Sequence, residues 1–273
     1  MIAPLQRNDL IDIAQRYLDA AVRHAPERAP LHPALRSTQN CREIRLGEGH
    51  WRNIERFAGE QFFVDTFTRQ VIVMGAAYHD GRPWPWSVRL HVDNGLVIES
   101  ETVISTDSKG HFADVEQLLI PDVLYDAPVP PERRVDRNGL RNAADSYWEG
   151  LQTHNGHLPR FHYRCDKYDN GAKTTNVLRT LLSPDATVHS CGSALSSASQ
   201  ARPRARERRY PVLDVELGVA GSMVCIDFHP VPNSPRPDEG TFYMMGVFKV
   251  VDGQLRVVDE IREIMPLGTQ SGW

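Results

Sequence analysis

The sequence has few cysteines and lacks the spacings that redox and zinc sites use. Its four cysteines, Cys41, Cys165, Cys191 and Cys225, form no CxxC pair. No basic segment followed by an apolar stretch opens the chain, as a secretory signal would require. These absences predict a reduced, cytoplasmic protein.

Long apolar runs, strong net charge and common catalytic motifs are also missing. No apolar run approaches the roughly 18 residues that span a bilayer, and the formal net charge of -4 gives no general attraction to nucleic acid or anionic membranes. We therefore expect neither as a partner. HExxH, GxSxG, GxGxxG and P-loop sequences are absent, which removes the main support for a zinc protease, a serine hydrolase, a dinucleotide enzyme or an NTPase.

An internal repeat is the main feature that is present. The 273 residues suffice for one large domain or two smaller ones. An ungapped shift of 130 positions aligns residues 8–24 with 138–154, and in both segments apolar residues recur at i, i+3, i+4 and i+7. This spacing predicts an amphipathic helix at the start of each copy. The same shift pairs His32 with His162 and Asn40 with Asn170.

Extended segments follow in both copies. Residues 61–80 resemble residues 210–230, with Asp65 against Asp214 and His79 against His229. Later DNG and DGQ sequences between β-branched runs predict hairpins. The Pro-rich sequence APVPP between the copies can continue neither helix nor sheet. We therefore predict two domains, 1–127 and 128–273.

These features together resemble the nuclear transport factor 2-like (NTF2-like) superfamily, in particular its SnoaL-like members, here as a tandem pair. The likeness is carried by the first helix with its Tyr, the stretch STQNCREIRLGEGHW, its counterpart CDKYDNGAKTTN and the final hairpins. It covers nearly the whole chain except 106–136 and 183–209. The resemblance implies an α+β fold of two cones, each a curved mixed sheet around N-terminal helices with a pocket at its wide end. The chain would be a pseudo-dimer, able to form a homodimer or a larger homo-oligomer.

The resemblance leaves several activities open, because this fold carries many. SnoaL-like proteins include isomerases, dehydratases, cyclases, cofactor-free lyases and non-catalytic binding proteins. One lyase among them removes formaldehyde from lignin-derived diarylpropane diols. Our leading hypothesis is a cofactor-independent, metal-free lyase of this kind, acting on an aromatic oxygenated small molecule. The alternatives are another SnoaL-like reaction or a non-catalytic small-molecule-binding protein.

The second copy carries more chemically capable side chains than the first. Asp166, Lys167 and Tyr168 stand where the first copy has Arg36, Ser37 and Thr38. We predict that these three are catalytic, with Tyr168 as an acid or oxyanion donor whose pKa a neighbouring ammonium lowers. The alternative is that Asp166 and Asp169 form turns that lead into Asn170-Gly171, with Lys167 in water.

The later strands of the second copy supply further candidates. Asp214 and Glu216 are expected on one strand face, as a pocket wall or in solvent. Asp227 and His229 also share a face, as a base with its orienting carboxylate, as a buried structural pair, as a strand end in water, or as part of a metal site. Asp214, Asp227 and His229 complete the predicted catalytic set. The predicted substrate-binding residues are His162, Arg164, Glu216 and Tyr243.

Two other segments allow two interpretations each. Cys165 is either a nucleophile, its pKa lowered by Arg164 and Lys167, or a packed thiol. The Ser/Ala/Arg-rich stretch 190–209 is expected to be a helix or a mobile excursion. Its arginines would form either a solvated face or an anion or partner site.

Overall fold

The computed structural model describes residues 5–106, 114–177, 190–197, 200–230 and 239–273. Each half opens with the predicted amphipathic helix, α1 (Arg7–Val22) and α3 (Arg137–Gln152). The apolar faces are buried through equivalent residues, Tyr17 in α1 and Tyr147 in α3 among them. Two shorter helices are α2 (Val115–Leu118) and α4 (Cys191–Ser196). None of the helices in these ranges is long and apolar enough to cross a membrane.

The described strands form two six-stranded mixed sheets. The first contains β1 (Leu31–Gln39), β2 (Arg42–Glu43), β3 (Arg56–Asp65), β4 (Gln70–His79), β5 (Arg82–Asp93) and β6 (Leu96–Ile104). The second contains β7 (Phe161–Asp169), β8 (Ala172–Lys173), β9 (Gln200–Asp214), β10 (Val219–Pro230), β11 (Gly240–Val251) and β12 (Gln254–Met265).

The two sheets have the same strand order. It is β2-β1-β6-β5-β4-β3 in the first sheet and β8-β7-β12-β11-β10-β9 in the second. One pair in each sheet is parallel, β1 with β6 and β7 with β12. Register shifts interrupt several strand pairs and bend them. The predicted fold class, α+β with two NTF2-like units, is confirmed. The predicted boundary at residues 127 and 128 lies between the sheets and stays a prediction.

Three apolar clusters hold the chain together. One packs α1 against the first sheet, and a second packs α3 and α4 against the second sheet. The third contains residues of both sheets, including Ile72, Met74, Met223 and Met245. The sheets therefore pack on each other through the faces that their own helices leave uncovered.

Two reciprocal ion pairs connect the halves. Arg137 at the start of α3 lies 2.7 Å from Asp65, the last residue of β3. Arg7 at the start of α1 lies 2.5 Å from Asp214, the last residue of β9. Both carboxylates are buried, so each pair closes the sheet interface at one side. The alignment of Asp65 with Asp214 thus corresponds to equivalent contacts.

The His and Asn residues that both copies share also make equivalent contacts. Asn40 and Asn170 have positive φ angles of 46° and 47°. Each side chain bonds the backbone N–H and C=O of one residue on the neighbouring strand, Ile104 or Arg262. His32 and His162 each accept a bond from the amide two residues later, at 3.1 Å in both cases. This shared framework is architectural.

Two local predictions are wrong. Asp214 and Glu216 do not share a strand, because β9 ends at Asp214 and β10 begins at Val219. The stretch 190–209 is mainly strand, as α4 is short and β9 begins at Gln200. Three of its arginines do not form a solvated face, because they pair with carboxylates. These are Arg206 with Asp227, Arg208 with Asp145 and Glu149, and Arg209 with Glu101.

Candidate functional site

Tyr168 and Asp259 are direct partners in the parallel pair of β7 and β12. Both face the other sheet, since Val257 and Ile261, which alternate with Asp259 on β12, belong to the cluster between the sheets. Tyr168 packs against the same cluster. A tyrosine and a carboxylate therefore lie side by side on a surface that is otherwise apolar.

A cavity of about 360 Å³ opens at this point. Its size is that of a small-molecule pocket. Three elements form it: the first sheet, the second sheet, and the segment that includes α2. The lining residues are Gly59, Gln61, Met74, Gly75, Gln117, Leu118, Ile120, Pro121, Asp122, Val123, Tyr168, Gly171 and Asp259.

Two glycines allow the α2 segment to lie close over the cavity. A Cβ on Gly59 would come within 2.0 Å of the Leu118 carbonyl oxygen, and one on Gly171 within 2.3 Å of the Asp114 carbonyl oxygen. Both glycines have positive φ, which other residues adopt at a cost. The Gln61 side chain fixes the segment further by bonding the backbone N–H and C=O of Asp122.

Asp259 is the unusual group in the cavity wall. Its Oδ1 is buried and has no hydrogen-bond partner within the described part of the chain. Burial, together with the charges of Asp122 and Asp169, raises the pKa of Asp259 to about 7. A carboxyl group with this pKa can accept or donate a proton near neutral pH.

Tyr168 is held in its protonated form. Burial and the nearby carboxylates, Asp166 first, raise the pKa of Tyr168 to about 12. The prediction that a neighbouring ammonium lowers this pKa is therefore wrong. Lys167 lies on the opposite face of β7, and the charges that act on Tyr168 are mainly negative. As a neutral phenol, Tyr168 is suited to donate a hydrogen bond or a proton.

Lys167 belongs to a separate, buried charge cluster. Its Nζ lies 2.5 Å from Asp169 and 3.1 Å from Glu260, and Arg262 lies 3.2 Å from Asp169. Burial alone would lower the pKa of Lys167, but the two carboxylates raise it above its ordinary value. Lys167 is thus a structural cation facing the helix side of the sheet. It is not a solvated lysine, and it does not line the cavity.

Asp166 shares its strand face with Tyr168 but is occupied by other partners. It accepts a bond from the Asn176 side chain at 2.9 Å and lies 3.1 Å from the Lys173 Nζ. Asp166 does not line the cavity. Of the three predicted loop residues, the structure places Tyr168 alone in the cavity wall.

Asp214, Glu216 and Tyr243 do not line the cavity either. Asp214 pairs with Arg7, and Glu216 lies exposed in the turn after β9, so the two do not share a strand face. Tyr243 is fully buried between the sheets, where its hydroxyl donates to Glu101. The wall predicted from Asp214 and Glu216 is absent, because the strand ends between them.

Asp227 and His229 lie on β10 with different partners. The Asp227 carboxylate accepts two bonds from Arg206, at 2.8 and 2.9 Å, and one from Thr241 at 2.6 Å. The hydrogen bonds from Arg206 are the main cause that lowers the pKa of Asp227. His229 is partly exposed and lies 3.0 Å from Glu239. The two therefore do not form a base with its orienting carboxylate.

His162 lines a different cleft, of about 730 Å³, next to α4. Tyr168 does not line that cleft. Arg164 lies beside it on β7, where its guanidinium stacks over the exposed ring of Tyr163. Cys165 also lines the cleft, and burial with the neighbouring Cys191 raises its pKa. This favours the interpretation of Cys165 as a packed thiol, since a raised pKa disfavours the thiolate.

Asp259, Asp122 and Gln61 were missed by the sequence reasoning. One signal could have pointed to Asp259. Asp259 and Glu260 are consecutive acidic residues between the apolar residues Val258 and Ile261 of β12, so one lies on each face of the sheet. The contributions of Asp122 and Gln61 depend on how the halves pack, which no local pattern reveals.

The fold is a repeated α+β unit of a helix and a six-stranded mixed sheet, and the cavity provides a site of small-molecule size. The family model of DUF8021, a domain of unknown function, matches residues 133–262, just short of half of the chain. No curated protein sequence is significantly similar to the chain.

Several solved structures are similar to this chain, each over less than half of it. An NTF2-like protein of unknown function from Cytophaga hutchinsonii has 11% identity and a TM-score of 0.30, covering 38% of this chain and 95% of its own. An LEH-like epoxide hydrolase from M. tuberculosis has 12% identity and a TM-score of 0.34, covering 48% and 85%. AclR, a putative hydroxylase from Streptomyces galilaeus, has 15% identity and a TM-score of 0.31, covering 46% and 92%.

Proposed function

We propose that the cavity at Tyr168 binds an aromatic oxygenated small molecule and acts on it as a cofactor-independent lyase. The observation that carries this proposal is the buried Oδ1 of Asp259, which has no hydrogen-bond partner in the described part of the chain and lies beside Tyr168 on the wall of a cavity. A buried carboxyl group without a partner is costly to the fold. Such groups are typical of sites where a ligand supplies the missing hydrogen bond.

The two side chains have complementary roles in this proposal. Asp259, with a pKa of about 7, is the base. Tyr168, with a pKa of about 12, is the acid. Groups whose surroundings hold their pKa values this far apart can accept and donate a proton in one reaction. Asp259 thus takes the role of the base, which was predicted for His229 with Asp227.

We propose the loss of formaldehyde from a diarylpropane diol as the specific reaction. Asp259 takes the proton of the terminal hydroxyl, and the carbon–oxygen bond there becomes the carbonyl of formaldehyde. The carbon–carbon bond to that carbon breaks, and its electron pair forms a double bond to the benzylic carbon. The benzylic hydroxyl leaves as water after it receives the proton of Tyr168. A final proton transfer from Asp259 to Tyr168 restores both groups, so diol gives alkene, formaldehyde and water.

The test is formaldehyde release from a phenolic diarylpropane diol by the purified chain. We expect release by the unmodified protein and a loss of at least about 100-fold in kcat for Asp259→Asn and for Tyr168→Phe, as for removal of a general acid or base. Asp12→Asn and Tyr163→Phe are matched controls, because both residues are exposed and lie outside the cavity. Release that persists in both cavity variants would refute the assignment. If the diol bound to the protein without release of formaldehyde, the protein would be a binding protein and not a lyase for this diol.

A further inference from the structure

The cavity has a counterpart in the first half of the chain. Thr38 is the register partner of Glu101 in the pair of β1 and β6, as Tyr168 is the partner of Asp259 in the pair of β7 and β12. On the next strand, Arg89 is the partner of Glu101, while Val247 is the partner of Asp259. We call the sheet surface formed by Thr38, Arg89 and Glu101 the groove at Thr38, and the surface formed by Tyr168, Val247 and Asp259 the groove at Tyr168. The two grooves occupy equivalent positions in equivalent sheets.

The carboxylates of the two grooves differ in their partners. Glu101 is fully buried, with Arg89 at 2.6 Å and Arg209 at 2.5 Å, and it accepts the bond from Tyr243. Asp259 has no cation in the corresponding position. In the groove at Thr38, side chains of the protein itself pair with the Glu101 carboxylate. In the groove at Tyr168, the space beside the Asp259 carboxylate is part of the cavity.

Trp273 covers the groove at Thr38. Its indole Nε1 donates to the Thr38 hydroxyl at 2.9 Å. The guanidinium carbons of Arg36 and Arg89 lie 4.2 and 4.7 Å from the centroid of the Trp273 ring, within cation–π distance. The Thr38 hydroxyl accepts the hydrogen bond of the indole ring, and the guanidinium groups of Arg36 and Arg89 lie against the ring.

The segment that carries Trp273 reaches this groove from the second sheet. It follows β12, the last strand of that sheet. Glu207 accepts bonds from the backbone and the hydroxyl of Ser271, at 2.8 and 2.6 Å, and Arg206 donates to the Thr269 carbonyl at 2.5 Å. These bonds hold the segment independently of the indole ring. Conversely, the α2 segment follows β6 of the first sheet and lies over the groove at Tyr168 in the second sheet. The cavity remains between this segment and the groove.

We propose that the groove at Thr38 is a second aromatic-binding site, which Trp273 occupies as an internal ligand. Its ligand class is a planar aromatic molecule that carries a hydrogen-bond donor on the ring. The chain consequently has one groove open to external molecules and one that it fills itself. This proposal does not depend on the reaction at Tyr168, since it involves no residue of that cavity.

The test is to remove the internal ligand and add indole as the probe. We expect Trp273→Ala to bind one more equivalent of indole than the unmodified chain in calorimetric titrations, with a larger rise in Tm. Leu267→Ala, a truncation in the same segment, is the matched control and should behave as the unmodified chain. Equal indole stoichiometry and equal Tm shifts in Trp273→Ala and the unmodified chain would overturn the proposal. If Trp273→Ala does not fold, Trp273→Leu, which is a milder truncation, replaces it in the same indole titration.

A second comparison tests the hydrogen bond to Thr38. Benzofuran has the shape of indole but no N–H donor. In Trp273→Ala, indole should bind about three- to tenfold more tightly than benzofuran, as the loss of one hydrogen bond predicts. In Trp273→Ala with Thr38→Val, the preference for indole should disappear. A preference that persists without the Thr38 hydroxyl would place the bound indole elsewhere.

Discussion

Lys167 and Tyr168 are consecutive on β7, but their side chains face opposite sides of the sheet. Lys167 pairs with Asp169 and Glu260 on the helix side, while Tyr168 lines the cavity between the sheets. The alternation of a strand thus divides one charged stretch into a stabilising cluster and a site.

Lys167→Met should destabilise the fold and leave the proposed reaction intact. The substitution keeps the length of the side chain but leaves Asp169 and Glu260 buried without their cation. We expect a loss of about 3 kcal/mol in the free energy of unfolding, as for breaking a buried ion pair. Urea denaturation measures this loss. Lys173→Met removes a more exposed lysine and should cost far less. Loss of turnover at unchanged stability would instead make Lys167 part of the reaction.

Asp259 should make the stability of the fold depend on pH. Its pKa is about 7 in the folded state, compared with an ordinary value of 3.8. As pH rises between these values, the unfolded carboxyl group ionises while the folded one stays protonated, so the folded state loses stability. The expected loss from Asp259 is up to about 4 kcal/mol and stops growing above pH 7.

Asp259→Asn should remove this contribution. The free energy of unfolding of the variant, relative to that of the unmodified chain, should rise as pH increases from about 4 to 7. Denaturation at several pH values measures the difference. Glu260 also has a pKa raised to about 7 by burial and will keep part of the pH dependence. Asp12→Asn, at an exposed position, should follow the unmodified chain. A constant difference between Asp259→Asn and the unmodified chain would show that Asp259 is ionised in the folded state.

The rate of the proposed reaction should follow the ionisation of Asp259. As the base, Asp259 must be deprotonated, so kcat/KM should rise with pH and level off above about 7. Tyr168 must stay protonated, and its pKa of about 12 predicts no alkaline loss up to pH 10. Initial rates of formaldehyde release measure the profile. A rate that falls as pH rises through 7 would reverse the roles of the two groups.

The repeat in the sequence predicted more of the fold than of the site. The shared Asn40 and Asn170 were correctly interpreted as architecture, because each bonds the backbone of one residue on the neighbouring strand of its own copy. Asp214 was assigned to chemistry, because the sequence does not show that Arg7 of the other half pairs with it. The cavity also depends on residues that are far apart in the sequence. The pKa of Asp259 on β12 is raised because the first sheet and the α2 segment help to bury its carboxyl group. The pattern of residues along a strand does not show how two sheets pack.

The reciprocal ion pairs of Asp65 and Asp214 should both stabilise the interface between the sheets. Because Asp214 pairs with Arg7 away from the cavity, Asp214→Asn should lower stability by about 2 kcal/mol and leave formaldehyde release unchanged. Asp65→Asn should cost more, because the Asp65 carboxylate accepts two bonds from Arg137 and a further bond from the backbone N–H of Leu213. A double-mutant cycle of Arg7→Met and Asp214→Asn should give a coupling of about 1–3 kcal/mol, as for residues in one ion pair. If the two substitutions were additive and Asp214→Asn abolished turnover, Asp214 would act in the reaction and not in the interface.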